Sequence, residues 1–123
     1  MAEAGTKLTN EQKRARIRKT YDLSARGDYE GSIQEGWADD GVFHSQMRGR
    51  EFRGKAAILD EVRKQNQEVK TTWHLHDVLV SDDHGVALLE AEQEGQRRRI
   101  VHILHLDDAG RIKESWAVFN PTE

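Results

Sequence analysis

Cysteine is absent from the 123 residues, and the only proline is Pro121, beyond the last predicted strand. Without cysteine, the chain cannot form a disulfide scaffold, a thiol nucleophile or a zinc site built on thiolates. No apolar stretch approaches the ~20 residues that a membrane-spanning helix needs. Residues 1–10 lack the apolar segment of a secretory signal, so we expect a cytoplasmic protein with no membrane partner.

The chain also lacks a dominant sign of charge, because 22 acidic and 19 basic residues give a net charge of −3. This balance gives no electrostatic support for nucleic-acid binding, so no nucleic-acid partner is expected. Two basic runs have simpler explanations. Residues 13–19 would form the solvent side of a helix, and residues 97–99 would pair across strands with the glutamates of residues 90–94.

The length and composition are those of one small domain. A chain of 123 residues leaves no room for two independent cores. Hydrophobic residues make up 36% and charged residues 33%, which is polar but not so poor in large apolar side chains as to predict disorder. We expect residues 1–9 to form a disordered tail and residues 10–120 to form the domain.

Apolar periodicity in the first half of the chain predicts three amphipathic helices. The first begins at Thr9 with the pattern of a capping box, carries an apolar or small residue every fourth position, and stops at Gly27. Asp28 predicts the start of a second, shorter helix that extends to Trp37. Residues 56–69 form the clearest helix, with Ile58, Val62, Gln65 and Val69 on one side and mostly charged or amide residues around the rest.

The second half is predicted to form a sheet, because the apolar period changes to two from Thr71 onwards. Consecutive short strands joined by tight turns pair antiparallel, and four are expected, at residues 73–80, 86–93, 99–106 and 112–119. A further short strand is expected at residues 42–44, between a turn at 39–41 and a loop at 47–54. The predicted fold class is therefore α+β, with three helices packed on one face of a curved antiparallel sheet.

Five motifs in a fixed order resemble a known family. They are YDLSARGDY at residues 21–29, WADDGVF at 37–43, FRGKAAI at 52–58, HDVL at 76–79, and VHILHL at 101–106 followed by GRIKESW at 110–116. The order is similar to that of the cone-shaped nuclear transport factor 2-like (NTF2-like) fold. Ketosteroid isomerase, scytalone dehydratase and the SnoaL-like polyketide cyclases share this fold, and the resemblance covers about residues 12–120.

The resemblance implies a deep apolar pocket that is open at one end. It also implies a homodimer that pairs through the outer face of the sheet, and a hydrophobic small molecule as the ligand. It does not identify one activity, because the fold hosts isomerases, cyclases, dehydratases, hydrolases and proteins that bind without catalysis.

The resemblance also suggests four catalytic candidates. Ketosteroid isomerase has a general-base aspartate on its first strand, whereas this sequence has no carboxylate there and His44 is the nearest titratable residue. His102 falls where the isomerases place a second catalytic acid. Tyr21 lies close to the position of their oxyanion-binding tyrosine, although its spacing to the following glycine differs by one residue. His76 could join His102 inside the pocket.

Each candidate also has a purely structural interpretation. His44 could be a polar strand residue at the pocket rim or on the surface. His102 and Tyr21 could be core residues whose polar atoms are satisfied by nearby hydrogen bonds. The register of the following hairpin decides whether His76 or Asp77 faces inward, and a sequence does not specify that register.

Histidine spacing gives little support for a metal. His74 and His76 share one strand face, but no third ligand follows at a recognisable spacing. His102 and His105 are three positions apart on a strand and therefore point to opposite faces. The sequence also has no phosphate loop or dinucleotide-binding motif, so we expect neither a metal nor another cofactor.

Several further residues are expected to contact the substrate. The isomerase register implies that alternate residues of the last strand face inward, where small side chains would leave space for a ligand. The expected substrate-binding residues are Trp37, Leu89, Leu104, Ser115, Ala117 and Phe119.

The expected function is cofactor-free proton transfer next to a carbonyl group, of the cyclase, isomerase or dehydratase type. It predicts an apolar cavity of several hundred cubic ångströms with at least two imidazoles in it. The alternative is a non-catalytic NTF2-like module that binds a ligand or a protein partner. A filled core around His102 would favour that alternative.

Overall fold

Three helices pack against a six-stranded sheet in this computed structural model, which describes residues 7–45, 49–68 and 70–119. The predicted α+β class is confirmed. The side chain of Phe119 lies outside the description. Residues 1–6 lie outside it as well, so the disorder expected for residues 1–9 stays a prediction. The elements are α1 (Asn10–Ala25), α2 (Tyr29–Gly36), β1 (Trp37–Ser45), β2 (Arg50–Arg53), α3 (Lys55–Glu68), β3 (Thr71–Ser81), β4 (His84–Gln93), β5 (Gln96–Leu106) and β6 (Ile112–Phe119).

The first two helices begin where the sequence predicts. Thr9 Oγ1 accepts a hydrogen bond from the Gln12 backbone at 3.1 Å, and the Gln12 side chain accepts one from the Thr9 backbone at 2.9 Å. Asp28 caps α2 by accepting from the backbone of Gly31 at 2.9 Å. The second helix ends at Gly36, so its predicted extension to Trp37 is wrong. Within the described chain, no helix has the length and hydropathy needed to cross a membrane.

The predicted turn at residues 39–41 is part of β1 and forms a bulge. Trp37 lies opposite Ile112, and Val42 lies opposite Glu114, so β1 carries three more residues than β6 over this stretch. A Cβ atom at Gly41 would lie 2.6 Å from the Trp37 ring, which explains why only glycine fits there. An Asp-Asp-Gly sequence favours both turns and bulges, and the pairing with β6 decides between them.

Strand β2 corrects the loop predicted at residues 47–54. Its four residues pair antiparallel with β1, with Phe52 opposite Phe43. Residues 47 and 48 of the predicted loop lie outside the described part of the chain. A strand of four residues is too short to show a clear period in the sequence, and its stability here comes from its neighbour.

The strand order is β2-β1-β6-β5-β4-β3. The hairpins β3–β4, β4–β5 and β5–β6 are antiparallel as predicted, while β1 pairs with β6 in parallel. The register places His102 of β5 between Ala87 of β4 and Ala117 of β6. Two small neighbours leave the space beside this imidazole unfilled.

The basic run at residues 13–19 does more than face solvent. Lys13 is 1% exposed and donates from Nζ to the carbonyl oxygen of Asp82 at 2.7 Å. Arg14 and Arg18 each donate to Asp77 Oδ1 at 3.1 Å. The prediction of a wholly solvated side is therefore wrong, because these cations tie α1 to the β3–β4 hairpin.

The run at residues 97–99 behaves as predicted. Arg97 lies opposite Glu92 and Arg99 lies opposite Glu90 across the β4–β5 hairpin. Arg97 also approaches Glu90, with 3.9 Å between Nη1 and Oε1. Cross-strand pairing of opposite charges accounts for these arginines without a nucleic-acid ligand.

Two groups of buried side chains form the core between the helices and the sheet. The larger group includes Ile17, Ile58 and Leu104, each fully buried. The smaller group contains Leu89, Ala91 and Ile100, and partly buried Tyr21 and Leu75 pack against both groups.

Candidate active site

A cavity of about 100 Å³ lies between α1, α3 and the inner face of the sheet. Most of its surface is apolar and comes from Phe43, Val62, Trp73, Leu75, Leu89 and Ile100. A second cavity of about 80 Å³ adjoins it and shares Tyr21, Phe43, Val62 and His102. The predicted volume of several hundred cubic ångströms is wrong, because large side chains occupy much of the interior.

The cavity continues toward solvent as a groove of about 580 Å³ between α1 and β3. Four residues border both spaces: Tyr21, Ala25, Trp73 and Leu75. Charged and polar side chains form the rest of the groove, namely Arg18, Lys19, Asp22 and His74. A molecule with an apolar head and a more polar remainder would fit, with its head in the apolar cavity and its remainder in the polar groove.

A tyrosine and a histidine form a hydrogen-bonded pair inside the cavity. Tyr21 projects from α1, and its hydroxyl oxygen lies 2.7 Å from Nδ1 of His102 on β5. The two ring centroids are 5.7 Å apart, and the edge of Phe43 approaches the imidazole at 6.4 Å. His102 Nε2 has no hydrogen-bond partner among the described residues, so it remains available to a ligand.

Burial keeps both members of the pair neutral at pH 7. Removal from water lowers the pKa of His102 from 6.5 to about 4. The same desolvation raises the pKa of Tyr21 above its ordinary value of 10. Imidazolium and tyrosinate are therefore both disfavoured in this cavity.

A neutral pair of this kind has two proton arrangements. When the Tyr21 hydroxyl donates to Nδ1, His102 presents an N–H at Nε2 and Tyr21 presents an oxygen lone pair. When Nδ1–H donates to the Tyr21 oxygen, the hydroxyl proton and a bare Nε2 are presented instead. In either arrangement, the pair offers a ligand in the cavity one hydrogen-bond donor and one acceptor.

Four more polar side chains line the cavity: Ser24 from α1, Ser45 from β1, and Gln65 and Asn66 from α3. None of them was among the site residues expected from the sequence. The available signal was an amide, Gln65, on the otherwise apolar face of the clearest helix. Its partner on the sheet, Ser45, could not be identified because strand pairing brings the two together only in the fold.

Comparison with known proteins identifies the family. A family model described as a SnoaL-like domain matches residues 17–115. The chain belongs to the SnoaL-like domain family. A search of curated proteins found no match.

Solved structures share the fold of this SnoaL-like domain. A protein of unknown function with a cystatin-like fold from Methylobium petroleophilum PM1 is 18% identical, with a TM-score of 0.80 over 95% of this chain and 81% of that one. A candidate ketosteroid isomerase from Kribbella flavida is 19% identical, with a TM-score of 0.77 over 93% and 82%. A candidate SnoaL-like polyketide cyclase from Shewanella putrefaciens is 18% identical, with a TM-score of 0.71 over 88% and 79%. These likenesses confirm the predicted NTF2-like cone and show the fold alone.

His44 of the SnoaL-like domain lies on the outer face of the sheet, away from the cavity. Its Nε2 is 2.6 Å from Glu114 Oε2, and its ring stacks on Trp116 with 5.2 Å between centroids. Phe43 and Ser45, its neighbours along β1, face inward and line the cavity. Strand alternation therefore separates His44 from the Tyr21–His102 pair.

His76 is also separate from the cavity. It is exposed and stands at a bulge in β3, since Leu75 pairs with Leu89 and Asp77 pairs with Leu88. The next residue, Asp77, accepts hydrogen bonds from the Val78 backbone and from Arg14. These bonds lower the pKa of the Asp77 carboxyl, and the bond from Val78 has the larger effect. Of the described histidines, His102 alone lines the cavity, so the expectation of at least two imidazoles there is wrong.

The expected substrate-binding residues divide into three groups. Leu89 and Ala117 line the main cavity, while Trp37 and Ser115 line the adjoining one. Leu104 is fully buried in the core and lines neither space. The side chain of Phe119 lies outside the described residues.

Histidine and acidic side chains pair in the described ranges 7–45, 49–68 and 70–119, as His44 does with Glu114. Groups of three or more that could hold a metal ion are absent from them.

Proposed function

We propose that this SnoaL-like domain is an enzyme that moves protons next to a carbonyl group of a hydrophobic small molecule. The observation that supports this proposal is the neutral Tyr21–His102 pair, 2.7 Å apart, in a mainly apolar cavity. The fold shared with a candidate ketosteroid isomerase and a candidate polyketide cyclase agrees with this type of reaction. The cytoplasmic location stays a prediction from the sequence.

The pair can enolise a ketone without forming a charged residue. His102 Nε2 removes a proton from the carbon next to the carbonyl, while the Tyr21 hydroxyl gives its proton to the carbonyl oxygen. The proton on Nδ1 moves to the Tyr21 oxygen at the same time. The substrate becomes an enol, and the pair is left in its other proton arrangement, ready for the reverse transfers.

This neutral relay suits the cavity because ionised intermediates are poorly solvated among apolar side chains. The enol can then take a proton at a different carbon, lose a β-hydroxyl group as water, or attack a second carbonyl. These outcomes correspond to isomerisation, dehydration and cyclisation. The same two residues serve all three outcomes.

The volume of the cavity limits what enters it. A cavity of ~150 Å³ in another protein holds one benzene molecule. The main cavity of about 100 Å³ and the adjoining one of about 80 Å³ together therefore suit the reactive end of a substrate, such as one small ring or a short chain. The remainder would lie in the groove toward solvent.

A non-catalytic ligand-binding module remains the second candidate. Among the described residues, no aspartate or glutamate lines the cavity, so the strong carboxylate base of the isomerases has no counterpart there. In that case the Tyr21–His102 pair would bind a carbonyl or hydroxyl group without transferring a proton. Turnover separates the two candidates.

The test uses 3-cyclohexen-1-one, whose isomerisation to the conjugated 2-enone is followed by ultraviolet absorbance. The native protein should accelerate the reaction, and Tyr21→Phe and His102→Asn should each lower the rate about 10²–10⁴-fold, as loss of acid–base catalysis does. His105→Asn, on the opposite face of β5, is the matched control and should keep the rate. A rate equal to that in buffer, or one unchanged in His102→Asn, would overturn the proposal.

The outer face of the sheet supports a homodimer as part of the proposal. Three of its apolar side chains are strongly exposed, Leu79 at 55%, Ile103 at 40% and Val118 at 41%. Val101 and Val118 are cross-strand neighbours, as are Ile103 and Trp116, so the apolar surface is continuous across β5 and β6. A second copy of the chain would cover it.

A further inference from the structure

A second polar region of the cavity takes no part in the proton relay. It consists of Ser45 on β1 and of Gln65 and Asn66 on α3. Polar side chains in a mainly apolar cavity are costly unless they are paired, so their presence requires an explanation. Their hydrogen-bonding capacity indicates what they can bind.

The amide of Gln65 is held in one orientation by a buried acid. Glu61 is 3% exposed, and its Oε2 accepts a hydrogen bond from Gln65 Nε2 at 2.8 Å. The same nitrogen donates to Ser45 Oγ at 3.3 Å. Both hydrogens of Nε2 are therefore used, and Oε1 is the part of the amide left to accept from a ligand.

Asn66 leaves a second acceptor without a donor. Its Nδ2 donates to the carbonyl oxygen of Val62 at 2.8 Å, which directs the amide nitrogen toward the helix backbone. Its Oδ1 is buried and has no hydrogen-bond partner among the described residues. A buried acceptor in this state is destabilising until a donor reaches it.

Ser45 supplies the complementary donor. Its Oγ accepts from Gln65, and its own hydroxyl proton has no acceptor among the described residues. The region therefore offers acceptors at Gln65 and Asn66 and a donor at Ser45. A group that both donates and accepts matches this set, and a hydroxyl group is the smallest one that does so.

We propose that Ser45, Gln65 and Asn66 form a subsite for a neutral hydroxyl group of the ligand, with Glu61 as the residue that positions Gln65. A carboxylate or phosphate does not fit, because the subsite has more acceptors than donors and a buried acid behind it. This inference deepens the proposed function, on which it rests. The substrate would be a hydroxylated carbonyl compound, bound by its carbonyl at Tyr21 and His102.

The test uses four small probes with one ring: cyclohexanone, cyclohexanol, 4-hydroxycyclohexanone and 4-methoxycyclohexanone. Dissociation constants are measured by NMR titration of the Trp73 indole and the Asn66 side-chain amide. The hydroxy ketone should bind roughly tenfold more tightly than the methoxy ketone, as expected for about one net hydrogen bond. Asn66→Leu and Gln65→Met should each abolish most of this preference.

Gln67→Met is the matched control, because Gln67 lies on the same helix but is exposed. It should leave the preference unchanged. Equal affinities for the hydroxy and methoxy ketones would overturn the subsite, as would a preference that persists in both Asn66→Leu and Gln65→Met.

The same data separate this subsite from the proposed function. If cyclohexanone binds and Tyr21→Phe weakens it while no hydroxyl preference exists, the subsite is wrong and the carbonyl site stands. If the preference depends on Asn66 but Tyr21→Phe leaves every ketone affinity unchanged, the subsite stands and the carbonyl site is wrong. Failure of all four probes to bind overturns both.

Discussion

A single buried histidine determines the chemistry available at the cavity. The imidazole of His102 is kept neutral because apolar neighbours desolvate it, with its pKa lowered to about 4. A base this weak does not stay protonated at neutral pH. A proton that His102 takes from the substrate is therefore given back during turnover. Tyr21 supplies the second neutral group, because desolvation raises the pKa of its hydroxyl and the hydroxyl keeps its proton.

The depressed pKa of His102 predicts how stability depends on pH. In the unfolded chain the imidazole takes up a proton near pH 6.5, whereas in the folded chain it does so only near pH 4. The unfolded state therefore binds more protons between these values, and the contribution present above pH 6.5 is lost as the pH falls toward 4. The loss from this residue should total about 3 kcal/mol.

Urea unfolding of the native protein and of His102→Asn at pH 7, 5.5 and 4 measures this loss. Other groups titrate equally in both proteins, so the difference between their unfolding free energies isolates His102. The native protein should lose stability more steeply than the variant as the pH falls. Parallel curves would show that His102 is not desolvated in the folded state.

The helices meet the sheet through close contacts between elements. Helix α2 leads directly into β1 at the Gly36–Trp37 step, without a loop. Ser32 donates from its buried hydroxyl to the carbonyl oxygen of Thr20 at 2.8 Å, which joins α2 to α1. Because α1 carries Tyr21, this junction also helps to set the position of the Tyr21 ring over His102.

Gly36 is predicted to be essential for that junction. A Cβ atom at this position would overlap the side chain of Thr20. We expect Gly36→Ala to destabilise the fold by about 1–3 kcal/mol, as overpacking does. Thermal and urea unfolding measure the effect. The double variant Thr20→Ala, Gly36→Ala should be less destabilised than the sum of the two single variants, and simple additivity would show that the overlap is relieved elsewhere.

The sheet gives the whole molecule two contrasting faces. The inner face contacts the helices and borders the cavity, whereas the outer face exposes a continuous apolar area around Ile103, Trp116 and Val118. Polar residues stand beside this area, including the His44–Glu114 hydrogen bond. An apolar area with a polar margin is typical of an interface between subunits.

Charge on the outer face should therefore separate the subunits. We expect Ile103→Lys and Val118→Lys to convert a dimer into a monomer, because each would bury an unpaired ammonium at the interface. Sedimentation velocity at micromolar concentration measures the change. Ala15→Lys, at an exposed position on α1, is the control and should leave the dimer intact. A native chain that sediments as a monomer would contradict the homodimer.

Local interactions were readable from the sequence, because they depend on neighbours a few positions away. The capping box at Thr9, the cap at Asp28 and the strand of β6 all appear where periodicity and turn residues predict them. The order of motifs was sufficient to predict the α+β cone of the SnoaL-like family. The inward direction of His102 also followed, because the family resemblance places this position at the pocket and strand alternation puts Ile100 and Leu104 on the same side.

Tertiary structure decided which chemical groups share the cavity. His44 faces outward and His76 stands exposed at a bulge, because strand pairing and irregular register are properties of two strands at once. The cavity is smaller than expected because its volume is what remains after side chains from seven elements have packed. The partners of Tyr21 and Gln65 are on other elements, at His102 and Ser45, and contacts between distant segments leave no periodic signal in a single sequence.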